Sequence, residues 1–145
     1  MKRSLAVAVL LAASIVDLSA QQADQVTYVD AGKVAEAFAK GGQLGTGSDH
    51  VASVLRRVKP GQVEVHVKET DTFYIVDGTA TFVTGGTMVG GSVTGPGQHR
   101  GTDITGGKAQ RLAKGDVMVI PAGVPHWFKE VPTSIDYYVV KVIAP

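Results

Sequence analysis

The chain has 145 residues and contains no cysteine and no asparagine. Without cysteine, no disulfide can staple the fold and no lipidated cysteine can anchor it, so stability must come from a continuous buried core. Without asparagine there is no N-glycosylation acceptor. Aromatic residues make up 6% of the chain, with one tryptophan, Trp127. No flat row of rings suited to stacking along a polymer can be identified. The one long apolar run, Leu5 to Val16, falls short of the ~20 residues that a membrane-spanning helix needs.

That run is informative in another way. Lys2 and Arg3 precede it and Ser19-Ala20 follow it, the order of a positive start, an apolar segment and small residues at a secretory cleavage point. Residues 1–20 are therefore read as a signal peptide, and the protein as secreted or periplasmic. Cleavage removes two of the 14 Lys+Arg and one of the 13 Asp+Glu, leaving 12 of each. A mature chain of zero formal charge offers no broadly basic face, which argues against nucleic acid or an anionic membrane as partner.

Residues 21–49 read as a polar lead-in with a short helix. Asp30 can cap AGKVAEAFAK and Gly41-Gly42 can stop it. Val34, Ala37 and Phe38 fall on one face. From residue 50 to 145 the pattern is β: about eight or nine short strands separated by Gly and Pro turns, which points to a sandwich or barrel. Val63, Val65 and Val67 alternate with Glu64 and His66, so Glu64 and His66 share a face. Asp77-Gly78 predicts a hairpin hinge between Phe73–Val76 and Thr79–Val83. Asp71 would then lie near the Glu64/His66 pair. The Gly-, Thr- and Ser-rich stretch from Gly85 to Gly107 reads as a long hairpin or a mobile flap. Its GGTMVGG lacks the Lys-Ser/Thr ending of a phosphate loop. Within it, His99-Arg100 is either solvated or touches an anionic or sugar-like ligand. Trp127 should face away from His126 and pack on the outer side of the sheet.

The segments VEVHVKETDTFYIVDG (63–78) and GDVMVIPAGVPHWFKE (115–130) resemble the paired motifs of the cupin family over roughly residues 50–143. The second matches in full from Gly115 through Pro121-Ala122-Gly123 to His126. The first matches at His66 and Gly78. It departs at Glu64, where the family usually has its first His, and at Asp71, where Glu is usual. Glu130 stands where the second motif ends in Asn.

The resemblance implies an all-β, jelly-roll β-barrel with a short N-terminal helix. It also implies a single metal site made by His66, His126, Glu64 and Asp71. The two histidines are the firmest ligands. Glu64 and Asp71 are each a ligand or an acid–base neighbour, and His50 is a substitute if its strand lines the mouth. Imidazole suits Cu, Zn, Fe and Ni, and carboxylate suits harder ions. The affinity order favours copper, with zinc, iron or manganese as alternatives.

Three functions are consistent with such a site. One is a copper-dependent oxidoreductase acting on a cellulose-like polysaccharide, similar in size, export and site type to the copper-dependent cellulose-cleaving cupins. The second is a non-redox metal enzyme such as a sugar isomerase, epimerase or lyase. The third is a non-catalytic ligand-binding barrel. The implied partners are a carbohydrate or other small-molecule substrate and a second copy of the chain. The apolar C-terminal segment YYVVKVIAP suits either a dimer contact or closure of the barrel.

Overall fold

The structure is a computed structural model that describes residues 25–145; the expected signal peptide lies outside the described residues. Helix α1 spans Ala31–Lys40. Asp30 caps it by accepting from the Lys33 backbone N–H at 3.0 Å, and Gly41 ends it at φ 69°. Val34, Ala37 and Phe38 are its half-buried residues. The helix lies over β1 and β2. A Cβ on Gly42 would sit 3.3 Å from the Ala37 Cβ, so Gly42 lets the helix approach the sheet.

Among the described residues there are twelve strands: β1 (Gly42–Thr46), β2 (His50–Arg57), β3 (Val63–His66), β4 (Glu69–Thr84), β5 (Thr87–Val89), β6 (Ser92–Gly95), β7 (Gln98–Gly101), β8 (Asp103–Thr105), β9 (Lys108–Ala113), β10 (Val117–Ile120), β11 (His126–Glu130) and β12 (Ile135–Ile143). All pairings are antiparallel. The first layer carries β1-β2-β12, the first half of β4, and β10. The second carries β9, the second half of β4, then β11-β3-β7-β6. This is the jelly roll implied by the sequence, with more strands than the turn signals suggested.

Two expectations are corrected, and the C-terminal strand takes the barrel-closing place, one of the two roles that its sequence suits. Asp77-Gly78 is not a hairpin hinge: β4 runs unbroken through it for 16 residues. The first half pairs with β12 and β10 and the second with β9 and β11, so the strand passes from one layer to the other. A register shift opposite Asp136/Tyr137 and a φ of 81° at Gly78 mark the corner. A bulge bends a strand where a turn would reverse it, and local turn chemistry cannot tell the two apart. Secondly, Asp71 is not brought alongside β3 by a hairpin. It lies in the first layer, opposite Ile120 and Lys141, and faces β3 across the barrel. Strand β12 is interior, hydrogen-bonded to β2 on one side and β4 on the other. Both its backbone edges are used.

The segment 85–107 is the long hairpin of the two options. β5 pairs with β8, β6 pairs with β7, and β7 continues into the second layer beside β3. The core between the layers is led by Phe73, Ile75, Phe82, Phe128, Ile135 and Tyr137. The Phe82 and Phe128 rings meet edge to face at 4.6 Å, and Phe73 stacks on Phe128 at 5.9 Å. This aromatic floor closes one side of the site. No helix among the described residues is long and apolar enough to cross a membrane.

The corner at Gly78 is the most exacting backbone position. A Cβ there would lie 2.1 Å from the Ser134 carbonyl oxygen, in a conformation that side chains disfavour. Gly78→Ala should destabilise the fold by about 3 kcal/mol or more. Urea denaturation checks this, with Gly106→Ala as control: Gly106 has a similar φ but open space around it.

Candidate metal centre

Strand alternation and the two-layer packing bring four predicted residues to one point. Glu64 and His66 point inward from β3, and His126 does so from the start of β11, in register with Glu64. Asp71 comes from the opposite layer. Pro121 and Gly123 shape the turn before His126, and the Gly123 N–H donates to the His66 carbonyl at 2.8 Å. The two histidines and Asp71 are buried, and Glu64 is partly so. The imidazole centroids are 5.1 Å apart.

The hydrogen bonds define the tautomers. His126 Nδ1–H donates to the Val124 carbonyl at 3.0 Å. His66 Nδ1–H donates to Gln98 Oε1, and Gln98 Nε2–H donates to Glu69 Oε1 at 2.6 Å. With Nδ1 carrying the proton in each ring, it is Nε2 that points inward. Both Nε2 atoms are buried and have no hydrogen-bond partner.

Around them lie two carboxylate oxygens. Glu64 Oε2 is 3.3 Å from His66 Nε2 and 3.9 Å from His126 Nε2. Asp71 Oδ2 is 3.6 and 3.9 Å from the same atoms. Ligands bonded at 2.0–2.2 Å on tetrahedral corners are about 3.3–3.6 Å apart. The two spacings from His66 fall at the ends of that range, and the two from His126, both 3.9 Å, lie just above it. The atoms of Glu64, His66 and His126 lie within 4.8 Å of one another, as do those of His66, Glu69 and Asp71. A divalent ion fits the donor set, which is two imidazoles and two carboxylates, each His held by an outer oxygen.

Lys141 was not anticipated. Its ammonium donates to both Asp71 oxygens at 2.8 Å and lies 3.0 Å from Glu69 Oε2. Asp71 is therefore charge-balanced by Lys141 through both of its oxygens, one of which also lies near both rings, as one Glu64 oxygen does. On the far side Arg100 Nη2 is 3.7 Å from Glu64 Oε1, so Arg100 belongs to the edge of this cluster and not to a free loop. The signals for Lys141 and Glu69 were present in the chain. Lys141 is the one charge in YYVVKVI and shares parity with Tyr137 and Val139. Glu69 shares parity with Asp71. Gln98 carries no such signal, because only the β3–β7 register places it. His50 is not part of the centre: its Nδ1 meets Asp49 Oδ1 at 2.7 Å, and it lines an outer groove beside residues 25–29. The Trp127 indole N–H donates to the Gly61 carbonyl at 2.7 Å, and the residue lines the cavity beside the centre together with His126.

Burial pushes the Glu64 carboxyl up, but contact with His66 and the charges of Arg100 and the imidazoles outweigh it and bring it down to about 2. Burial also holds the His126 imidazole below its usual value, against the pull of the Val124 carbonyl, Asp71 and Glu64. Burial likewise raises Glu69, and the Lys141 ammonium more than reverses this.

An antiparallel jelly roll with inward imidazoles and carboxylates on facing layers defines a small β-barrel with a cluster of candidate metal ligands. The chain belongs to the cupin family, whose model, described as Cupin, matches residues 18–142. Comparison with curated proteins gives no match. Among solved structures, the cupin domain of Schizosaccharomyces pombe Cnp3 is similar at 14% identity and a TM-score of 0.52, over 71% of this chain and 59% of that one. A Bacillus halodurans protein is similar at 12% identity and TM-score 0.54, over 72% and 70%. The iron(II) form of HppE is similar at 14% identity and TM-score 0.52, over 70% and 49%. At these identities the likeness is one of fold. This chain spans about three fifths of the Cnp3 domain that it matches.

The pKa directions set the acid response of the metal-free protein. Glu64 ionises near 4.5 when unfolded and about 2 when folded, so its contribution is full above 4.5 and lost as pH falls toward 2. His126 prefers to be neutral in the fold, so protonation begins to destabilise the fold as pH drops through the ordinary histidine value of about 6.5. Glu64→Gln should flatten the loss of stability between pH 4.5 and 2 and leave the slope near pH 6 in place. Thermal melts across that range check both.

Proposed function

We propose that this chain is an exported metal-binding cupin and a metal-dependent enzyme acting on a small molecule. The observation that carries the reading is the pair of buried, partnerless Nε2 atoms with two carboxylate oxygens at ligand-to-ligand spacing. His66, His126 and Glu64 would hold the ion, with Asp71 completing the set. When bound, the ion supplies Lewis-acid chemistry or, if it is copper, one-electron chemistry. Copper is favoured for two imidazoles and two carboxylates by the Irving–Williams order.

The chain's own groups provide the remainder. Gln98 fixes the His66 tautomer. Lys141 balances Asp71 and Glu69. The barrel wall excludes bulk water from the two rings. The iron(II) form of HppE offers a parallel, since the same fold there carries a metal.

Oxidative cleavage of a cellulose-like chain receives no support from the comparisons, and the geometry weighs against it. The cavity beside the centre holds about 100 Å³, room for about three waters, and the histidines sit beneath the barrel wall. Export rests on residues 1–20, and mass spectrometry of the periplasmic or secreted protein would show a mature N-terminus at Gln21. A homodimer is supported by the outer face of the first layer. There Tyr74, Val117 and Val119 are 49%, 62% and 60% exposed, and Val117 and Tyr74 are register partners.

Protein purified without chelator should carry one transition-metal ion per chain by elemental analysis. His66→Ala and His126→Ala should each abolish this while the folded spectrum persists; full metal content in either would contradict the reading. Gln98→Leu should keep the stoichiometry and weaken affinity about tenfold to a hundredfold, measured by competition with a chromophoric chelator.

A further inference from the structure

Arg57 is a charged group inside the barrel that the metal reading leaves unused. It sits at the end of β2, on the same face as Leu55, and lines the cavity that also reaches Glu64, Asp71 and His126. Its neighbour Arg56 faces out and pairs with Asp136 at 3.0 Å. Arg57 pairs with no carboxylate among the described residues, and its Nε is buried without a hydrogen-bond partner. Arg57 as a whole is half-buried, and a guanidinium whose inner nitrogen is shielded from water, with the Tyr137 phenol but no carboxylate beside it, is a ready anchor for an anion.

The guanidinium is also held in place. It lies over the Phe128 ring at 5.0 Å. Gly61 lies against its Nη1: a Cβ there would stand 2.8 Å away and would displace the guanidinium. Gly61 is itself pinned, donating its N–H to the Phe128 carbonyl at 3.0 Å and accepting from the Trp127 indole. The Tyr137 phenol, which burial pushes up and the Arg57 charge pulls back, lies beside it. Arg57 and the cation-binding cluster, whose Asp71 already pairs with Lys141, therefore share a cavity of about 100 Å³ whose lining includes the apolar Leu55, Phe73 and Val139.

We propose that this cavity binds a small carboxylic acid. Its carboxylate would engage Arg57 and Tyr137, and an oxygen at its other end would reach the His66/His126/Glu64 centre. The volume admits a compact 2-oxo or 2-hydroxy acid of about two to four carbons. The apolar lining residues favour a carbon-bearing anion over inorganic phosphate. Only the second anchor rests on the metal reading; the Arg57 subsite stands on its own geometry.

The test is calorimetric titration of the full mature chain, zinc-loaded and zinc-free, with pyruvate, its uncharged methyl ester and inorganic phosphate. Fluorescence of the single tryptophan is followed in parallel, because Trp127 bonds to the glycine that lies against Arg57. Pyruvate should bind the zinc-loaded protein, and the ester and phosphate should bind at least about tenfold more weakly. Arg57→Met keeps the packing on Phe128 and should lower pyruvate affinity by about tenfold or more with zinc content unchanged. Arg57→Lys keeps the charge and should retain the preference for acid over ester.

Equal binding of acid and ester, equal binding of phosphate, or undiminished affinity in Arg57→Met would overturn the proposal, as would zinc-loaded protein that binds no pyruvate. Arg57-dependent pyruvate binding in a protein that takes up no zinc would uphold the anion subsite and refute the metal reading instead.

Discussion

Two imidazole nitrogens face each other inside the barrel with nothing to bond. A buried polar atom without a partner costs about 1–3 kcal/mol, and His66 Nε2 and His126 Nε2 are two such atoms in one cavity. The arrangement is not slack. Val124 and Gln98 take the opposite nitrogen of each ring, so each Nε2 is turned inward by construction. Protonating both rings would place two cations side by side in a buried cavity. A divalent ion would satisfy both nitrogens and both nearby carboxylates at once, which is why the proposed function centres on it.

The fold puts these donors on two layers. Glu64, His66 and His126 come from one layer and Asp71 from the other, so the site is also a bridge across the barrel. The corner at Gly78 lets a single long strand serve both layers, and the aromatic floor of Phe73, Phe82 and Phe128 fixes their separation. Lys141, Glu69 and Gln98 then join the two sides by hydrogen bonds that return to His66. This circuit ties the charge on Asp71 to the orientation of His66 through side chains far apart along the chain. Arg57 adds a further charged side chain to the lining of the same cavity.

Much of this was legible in the chain. Alternation placed Glu64 and His66 on one face, the capping residues marked both ends of α1, and the Pro121/Gly123 turn located His126. Lys141, Glu69 and Arg57 also carried a parity signal: each shares its face with an inward residue two positions away, a pattern as readable as that of His66. Other features were beyond local reasoning. The Asp77-Gly78 pair looks the same in a hairpin and in a bulged corner; which forms depends on whether β12 lies alongside to pair with both halves. Gln98 reaches His66 only through the β3–β7 register, set by a hairpin whose own residues give little indication of where it docks. Asp71 was placed near the right partners for the wrong geometric reason, because proximity across a barrel and proximity along a hairpin give the same neighbour list.

The central claim is that one cation sits between the two rings. Anomalous diffraction from a crystal of the metal-loaded protein, recorded on either side of the metal's absorption edge, addresses it directly. The account predicts a single strong peak about 2.0–2.2 Å from Nε2 of both His66 and His126, with a Glu64 oxygen in the same shell. A peak bonded to other residues, or two imidazoles still lacking a shared ion at saturating metal, would contradict it.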